Sequence, residues 1–227
     1  MAEALRCREG TPTCADAWAR AWAPYDEPTY AQVLAHLSPA DVVLDIGAGD
    51  LRLARRMAVR VQRVYAVEVQ AQVVAQGLRQ RPLPRNLHVI VGDARTLPVP
   101  PGVTVGVLLM RHCPDVGVYV EMLTRAGAAR LITNARWGLG VEVVDLEAPR
   151  VPFADVAIGW YACRCGATGF IPGPPERLTP ALLDRIYEVY DCPACAAEGD
   201  RHAGTTYQGW PGARVSSDGV TATLPAP

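Results

Sequence analysis

The sequence predicts an α/β fold: a doubly wound, mostly parallel sheet with a small cysteine-containing module at its C-terminal side. Three observations support this. Between residues 40 and 148, short apolar runs alternate with stretches of helical spacing, a pattern that demands parallel pairing with helices on both faces. The stretch VVLDIGAGDLRLARRM, residues 42 to 57, places a turn with two glycines between the first strand and its helix. Beyond residue 149 Pro and Gly become frequent, and four cysteines fall into two close pairs.

The elements follow in order. CADAWARAWAPY (14–25) has helical spacing, with Trp18 and Trp22 one turn apart on one face. EPTYAQVLAHL (27–37) reads as a second helix, stopped by Ser38-Pro39. Strands are expected at 41–46, 63–69, 86–93, 103–110, 129–135 and 139–146. Helices are expected at 51–61, 71–80 and 117–126. TPALLDRIYEVY (179–190) reads as a further helix, with Thr179 as N-cap, Pro180 in the first turn, and Leu182, Leu183, Ile186, Tyr187 and Tyr190 as its apolar stripe. The resulting organisation is an N-terminal helical lid (1–39), the α/β domain (40–148), the cysteine module (149–200) and a small, polar extension (201–227). No internal repeat is present.

Composition narrows the function classes. The chain has 227 residues, half of them apolar and a fifth charged, so it can build a sizeable core. Its net charge of −1 lacks the basic excess of a protein held by phosphate backbones, although Arg52, Arg55, Arg56 and Arg60 allow a local patch. Neither a long apolar run nor a signal-like start is seen, so the expectation is a cytoplasmic protein with no membrane partner.

The glycine turn bears on the ligand. In open α/β sheets, ligands bind at the carboxyl ends of strands where the strand order reverses. Gly47 and Gly49, with Ala48 between them, let the backbone approach a ligand closely. A nicotinamide dinucleotide and S-adenosylmethionine are the two candidates. The dinucleotide fingerprint requires a third glycine where Arg52 stands, and Asp45 would repel a pyrophosphate. S-adenosylmethionine instead carries an ammonium and a sulfonium, which suit an anionic strand end. Glu68, ending the second strand, can accept both ribose hydroxyls. Asp93, ending the third, can accept the adenine amino group.

These residues (VVLDIGAGD, VYAVEV and VIVGDA, in order) resemble the class I S-adenosylmethionine-dependent methyltransferases, and most nearly the ribosomal-RNA adenine dimethyltransferases, over about residues 30 to 135. The resemblance implies a methyl-donor site at Asp45, Gly47, Ala48, Gly49, Glu68, Val69, Asp93, Ala94 and Arg111. Two departures stand out. The family's third turn glycine falls on Leu51, and the Asn/Asp-Pro-Pro-Tyr segment of adenine-amino methylases is replaced by MRHCPD, residues 110–115.

That segment is where such enzymes meet their acceptor. Methyl transfer needs alignment and, for some acceptors, removal of a proton. His112 is the candidate base, and Arg111 could also hold an acidic substrate group. Cys113 reads as a small apolar filler. Trp18, Trp22 and Tyr25 could form the lid or simply pack its helix.

Cys163-x-Cys165 and Cys192-x-x-Cys195 together suit a tetrahedral Zn²⁺ site. Four thiolates leave no open coordination position, so the zinc is expected to be structural, stapling a module too small for its own core. Cys7 and Cys14 are left as free thiols. Trp160, Tyr161, Arg164 and Phe170 offer groups for stacking on bases or contacting a protein. The expectation is therefore a zinc-containing methyltransferase acting on RNA, protein or a metabolite. A macromolecular acceptor is weakly favoured, and a nucleic acid is not supported by the net charge. The alternative is a donor-binding protein without turnover, whose zinc module mediates protein interaction.

Overall fold

In a computed structural model of the chain, the structure describes residues 24–80, 82–138 and 140–198. The helix expected at 14–25 lies almost wholly outside them, as do Cys7, Cys14, Trp18, Trp22 and the extension from residue 201.

Helix α1 (Glu27–Ala35) begins where Asp26 accepts the Thr29 N–H at 3.0 Å, with a proline in the first turn where its missing donor costs nothing. The large sheet follows: β1 (Val42–Ile46), β2 (Arg63–Glu68), β3 (Leu87–Val91), β4 (Val105–Leu108), β5 (Arg130–Thr133) and β6 (Glu142–Asp145). Their order is β3-β2-β1-β4-β5-β6, with β6 alone antiparallel. Three helices connect the strands: α2 (Arg52–Ala58), α3 (Ala71–Gln80) and α4 (Val116–Arg125). The α/β expectation therefore holds, with α3 at its expected bounds and the other helix ends within three residues of theirs.

Strand alternation sorts the core into two layers. Val43, Val64 and Val107 face α1, α2 and α3, whereas Leu44, Val67 and Leu108 face α4. Apart from Asp45, Arg63 and Glu68, β1 and β2 are apolar, because both faces of the sheet are covered. Asp41 ties the far end together: it accepts the Ser38 N–H and the Thr104 hydroxyl, and Arg130 Nη2 at 2.8 Å.

The C-terminal module differs from its expectation. Residues 149–178 contain β7 (Val151–Pro152), β8 (Gly159–Cys163) and β9 (Thr168–Ile171). The helix expected over 179–190 is corrected to a single turn, α5 (Pro180–Leu183), followed by strand β10 (Ile186–Tyr190). The N-cap reading stands, since Thr179 Oγ1 accepts the Leu182 N–H at 3.3 Å. The supposed stripe fails because Leu183, Ile186 and Tyr190 are exposed. A β-branched and aromatic run, IYEVY, prefers the extended chain once partner strands exist. β10 lies between β7 and β8 in a four-stranded sheet, β7-β10-β8-β9, and helix α6 (Pro193–Glu198) follows.

Candidate functional site

The strand order reverses between β1 and β4, and a cavity of about 750 Å³ opens at their carboxyl ends. All ten expected donor and catalytic residues line it: Asp45, Gly47, Ala48, Gly49, Glu68, Val69, Asp93, Ala94, Arg111 and His112. The topology gathers them because each follows, or ends, one of four successive strands.

The turn after β1 is pinned to β2. Gly47 and Ala48 donate their N–H groups to the Val67 carbonyl at 2.9 and 3.0 Å. Gly47 has φ of 76°, and a Cβ there would lie 3.3 Å from Met110 Sδ, so glycine serves both conformation and space. Leu51, standing where the family's third glycine falls, also adopts a left-handed conformation, φ 67°, with its side chain wholly buried. Gly77 of α3 lets the turn close on that helix, since a Cβ would meet the Asp50 carbonyl oxygen at 2.3 Å.

Glu68 is buried, and its two oxygens accept the Gly49 and Gln70 N–H groups, each at 2.9 Å. A carboxylate offers about four lone-pair sites, so acceptor capacity remains for a ligand. Asp45 is buried too, and its Oδ2 has no hydrogen-bond partner. Burial, reinforced by the Glu68 charge, pushes its carboxyl up to about 7. The cavity's other acids are neutralised. Asp50 is paired by Arg52, while Arg95 bridges Asp93 at 2.6 Å and Asp115 at 3.1 Å. Among the described residues, Asp45 and Glu68 have no ion-pair partner, so this end of the cavity holds uncompensated acidity.

Asp93 sits less freely than the sequence suggests. Arg95 grips its carboxylate and holds the carboxyl below its ordinary range, so a ligand would share it with a guanidinium. The Arg111 guanidinium extends over the Tyr25 ring, 5.3 Å from the centroid, and the Arg111 backbone N–H donates to the Tyr25 hydroxyl at 3.3 Å. Tyr25, with Pro24 and Tyr30, forms one wall of the cavity, which places part of the expected lid there. His112 is exposed, has φ of 59°, and packs so close to Gly138 that a Cβ there would meet its Cε1 at 2.7 Å. Burial pushes the Cys113 thiol up, which fits a filler and not a nucleophile.

Sequence reading missed several wall residues. Tyr119 of α4 lines the cavity, and burial pushes its hydroxyl up to about 12. The sequence placed it only within a helix expected at 117–126. Met110, expected as the last residue of the fourth strand, lies just past β4 and is the residue against which Gly47 closes.

The four module cysteines converge. Cys165 and Cys192 sulfurs lie 3.5 Å apart, Cys163 and Cys195 3.6 Å, and Cys192 and Cys195 3.7 Å. All four are within 4.8 Å of one another. Zn–S bonds of about 2.3 Å in a tetrahedron put sulfurs about 3.8 Å apart, so the set has the size a zinc ion needs. Register explains part of the convergence: β10 pairs with β8, bringing Val189 beside Cys163 and the following turn beside Cys165. Trp160 is partly exposed and packs edge-on against Phe170 and Trp137, whereas Tyr161 lies on the opposite face against Phe153. The four expected stacking groups therefore do not share one surface.

The chain is similar to ribosomal RNA small subunit methyltransferase A. It is 40% identical over 68 residues to the probable ribosomal RNA small subunit methyltransferase A of Methanosarcina acetivorans, covering 30% of this chain and 25% of that protein. The Methanosarcina mazei counterpart is 39% identical over 66 residues, covering 29% and 24%. The match thus spans about a quarter of these relatives' length. No family model matches. Among solved structures, the 23S rRNA methyltransferase ErmE aligns with a TM-score of 0.42 and 24% identity over 48% of this chain and 46% of its own. The precorrin 8w decarboxylase of Methanobacterium thermoautotrophicum aligns with a TM-score of 0.40 and 24% identity, over 48% and 63%. Scores of this size carry no weight for function.

Proposed function

We propose that the protein is an S-adenosylmethionine-dependent methyltransferase whose donor lies in the cavity at the carboxyl ends of β1 to β4. One observation carries this reading: Asp45 and Glu68 are buried on adjacent strands, near enough for the Glu68 charge to act on Asp45, without an ion-pair partner, and Asp45 Oδ2 has no hydrogen-bond partner. Buried charge left uncompensated is costly, so such a pair calls for a ligand that supplies positive charge and hydrogen-bond donors. A pyrophosphate would worsen the repulsion. The similarity to the Methanosarcina methyltransferases supports the same choice.

In this reading Glu68 accepts the ribose hydroxyls, Asp45 stabilises the cationic part of the donor, and the Gly47–Gly49 backbone cradles it. Ala94 and Asp93 flank the adenine, with Arg95 fixing the carboxylate's orientation. When bound, the donor supplies a methyl group on a sulfonium that leaves as a neutral thioether. The protein's remaining tasks are to align the acceptor and, where the acceptor carries a proton, to remove it. His112 stands at the cavity wall with an imidazole nitrogen for that proton. Among the RNA, protein and metabolite acceptors that the sequence leaves open, what the relatives are named for supports RNA.

The four cysteines would hold one structural Zn²⁺. Closed tetrahedral thiolate coordination binds no substrate, so the metal's work is to hold β8, β10 and α6 together. No helix among the described residues is long and apolar enough to cross a membrane. A location in the cytoplasm remains part of this proposal.

Titration calorimetry with S-adenosylmethionine and with a nicotinamide dinucleotide tests the reading. Binding of the first alone is expected, and binding of the dinucleotide alone would refute it. Incubation with labelled donor and cellular RNA then separates an enzyme from a binder: label in RNA is expected, while tight binding with no transfer to any fraction would leave only the non-catalytic alternative.

A further inference from the structure

A second cavity, about 460 Å³, lies between α4 and the cysteine module. Pro114 lines both this groove and the donor cavity, so the two are neighbours across one loop. The module seats closely on α4 there: a Cβ at Gly117 would lie 3.3 Å from Cys165 Cα, and one at Gly166 3.3 Å from Val116 Cβ.

Three arginines line the groove against a single acid, Glu121, which is already bound by Arg125 one turn along the helix. Arg150 and Arg164 have no ion-pair partner among the described residues. Arg164 is held in place, since its Nη2 donates to the carbonyls of Asp145 and Ala148 at 3.0 and 3.1 Å. Its Nε is buried and lacks a partner. Arg150 lies over the Tyr190 ring, 5.7 Å from the centroid. Two guanidinium groups line one recess without an ion-pair partner, one of them with an unsatisfied donor, although the Glu188 and Asp145 carboxylates lie near enough to favour the charge on Arg164. Such an arrangement is stabilised by an anion, and planar guanidinium forks match the oxygens of a phosphate.

We propose that this groove binds a phosphate group of the methyl acceptor through Arg150 and Arg164. The assignment to the acceptor rests on the methyltransferase reading, because it follows from the wall shared with the donor cavity. The phosphate belongs either to an RNA backbone or to a free nucleotide. The groove thereby places a polyanion contact on a protein whose net charge is −1.

The test uses the full chain, a short single-stranded RNA and AMP. Fluorescence anisotropy should show RNA binding that weakens with salt. Arg150→Ala should lower RNA affinity roughly tenfold, the loss of about one charge-assisted contact. It should also reduce the slope of log affinity against log salt by about 0.7. Arg150→Lys should recover part of both. Arg164→Lys, which keeps the charge but alters the fork, should weaken binding with a smaller change of slope. Competition by AMP would mark one phosphate as sufficient; competition by RNA alone would mark the backbone. Affinity and slope unchanged in Arg150→Ala, or wild-type protein binding neither ligand, would overturn the proposal. Calorimetry with S-adenosylhomocysteine on the same preparations keeps the two readings apart. Retained binding shows that the variants are folded. Its absence in wild-type protein that still binds RNA would sink the donor assignment, and with it the acceptor role of the groove.

Discussion

Arg136 donates to Glu188 twice, from Nη1 at 2.9 Å and from Nη2 at 2.7 Å, while Nε and Nη2 also reach Glu142 at 3.0 and 2.6 Å. Glu142 belongs to the edge strand β6 of the large sheet and Glu188 to the interior strand β10 of the small one. One buried guanidinium therefore joins the two sheets.

Arg136→Met removes the cation and leaves two partly buried carboxylates facing each other. A loss of about 2–4 kcal/mol is expected, somewhat below the cost for wholly buried pairs because both acids keep some solvent. Urea denaturation followed by tryptophan fluorescence measures it. Arg136→Lys should recover only part, since an ammonium cannot serve two carboxylates in one plane. A lysine variant as stable as wild type would contradict this account of the joint.

The Asp45 carboxyl titrates near 3.8 when free and is pushed up to about 7 in the fold. Between those values the folded protein binds the extra proton, so stability falls as pH rises through the window and levels off above it. Asp45→Asn should therefore stabilise the donor-free protein by about 1–3 kcal/mol at alkaline pH and by little at about pH 4. A cationic donor favours the ionised form. Its binding should release protons below about pH 7, and the same substitution should abolish both that release and most of the affinity. Calorimetry in buffers of different ionisation enthalpy reads the proton count.

Leu51 has φ of 67° and no exposed surface. Leu51→Gly relieves about 1 kcal/mol of backbone strain but removes a buried leucine side chain, worth about 2–5 kcal/mol. Burial should win, giving a net loss of about 2 kcal/mol in thermal or chemical denaturation. A glycine variant more stable than wild type would show that strain governs this turn.

Gly77→Ala places a Cβ against the Asp50 carbonyl oxygen, a contact too short to keep. The turn or α3 must shift. Donor affinity should drop at least tenfold, roughly 1.4 kcal/mol, with a smaller loss of overall stability. Titration calorimetry beside a melting curve separates the two effects.

Metal analysis of the purified protein should find about one zinc per chain. Strong chelation, or Cys192→Ser, should unravel the small sheet first and leave the donor cavity able to bind, since no cysteine of the cluster lines that cavity. A metal-free protein with the same melting curve would remove the structural role.

The large sheet and its ligand edge were legible in the sequence, because buried parallel strands, turn glycines and strand-end acids each leave a local mark. VVLDI, Glu68 and Asp93 declare themselves by position relative to strands that any reading would find. The cysteine pairs were equally plain, as a metal site needs fixed residue types at short spacing. Tertiary structure decided the rest. IYEVY carries apolar spacing compatible with a helix, yet it became β10 because β7 and β8 offered backbone partners from far along the chain. The pairing of Asp93 with Arg95, the orphaned oxygen of Asp45 and the arginine groove beside Pro114 depend on which side chains meet after folding. Local pattern fixes the period of an element and the charge of a residue, whereas neutralisation and burial are properties of neighbours that the linear order does not name.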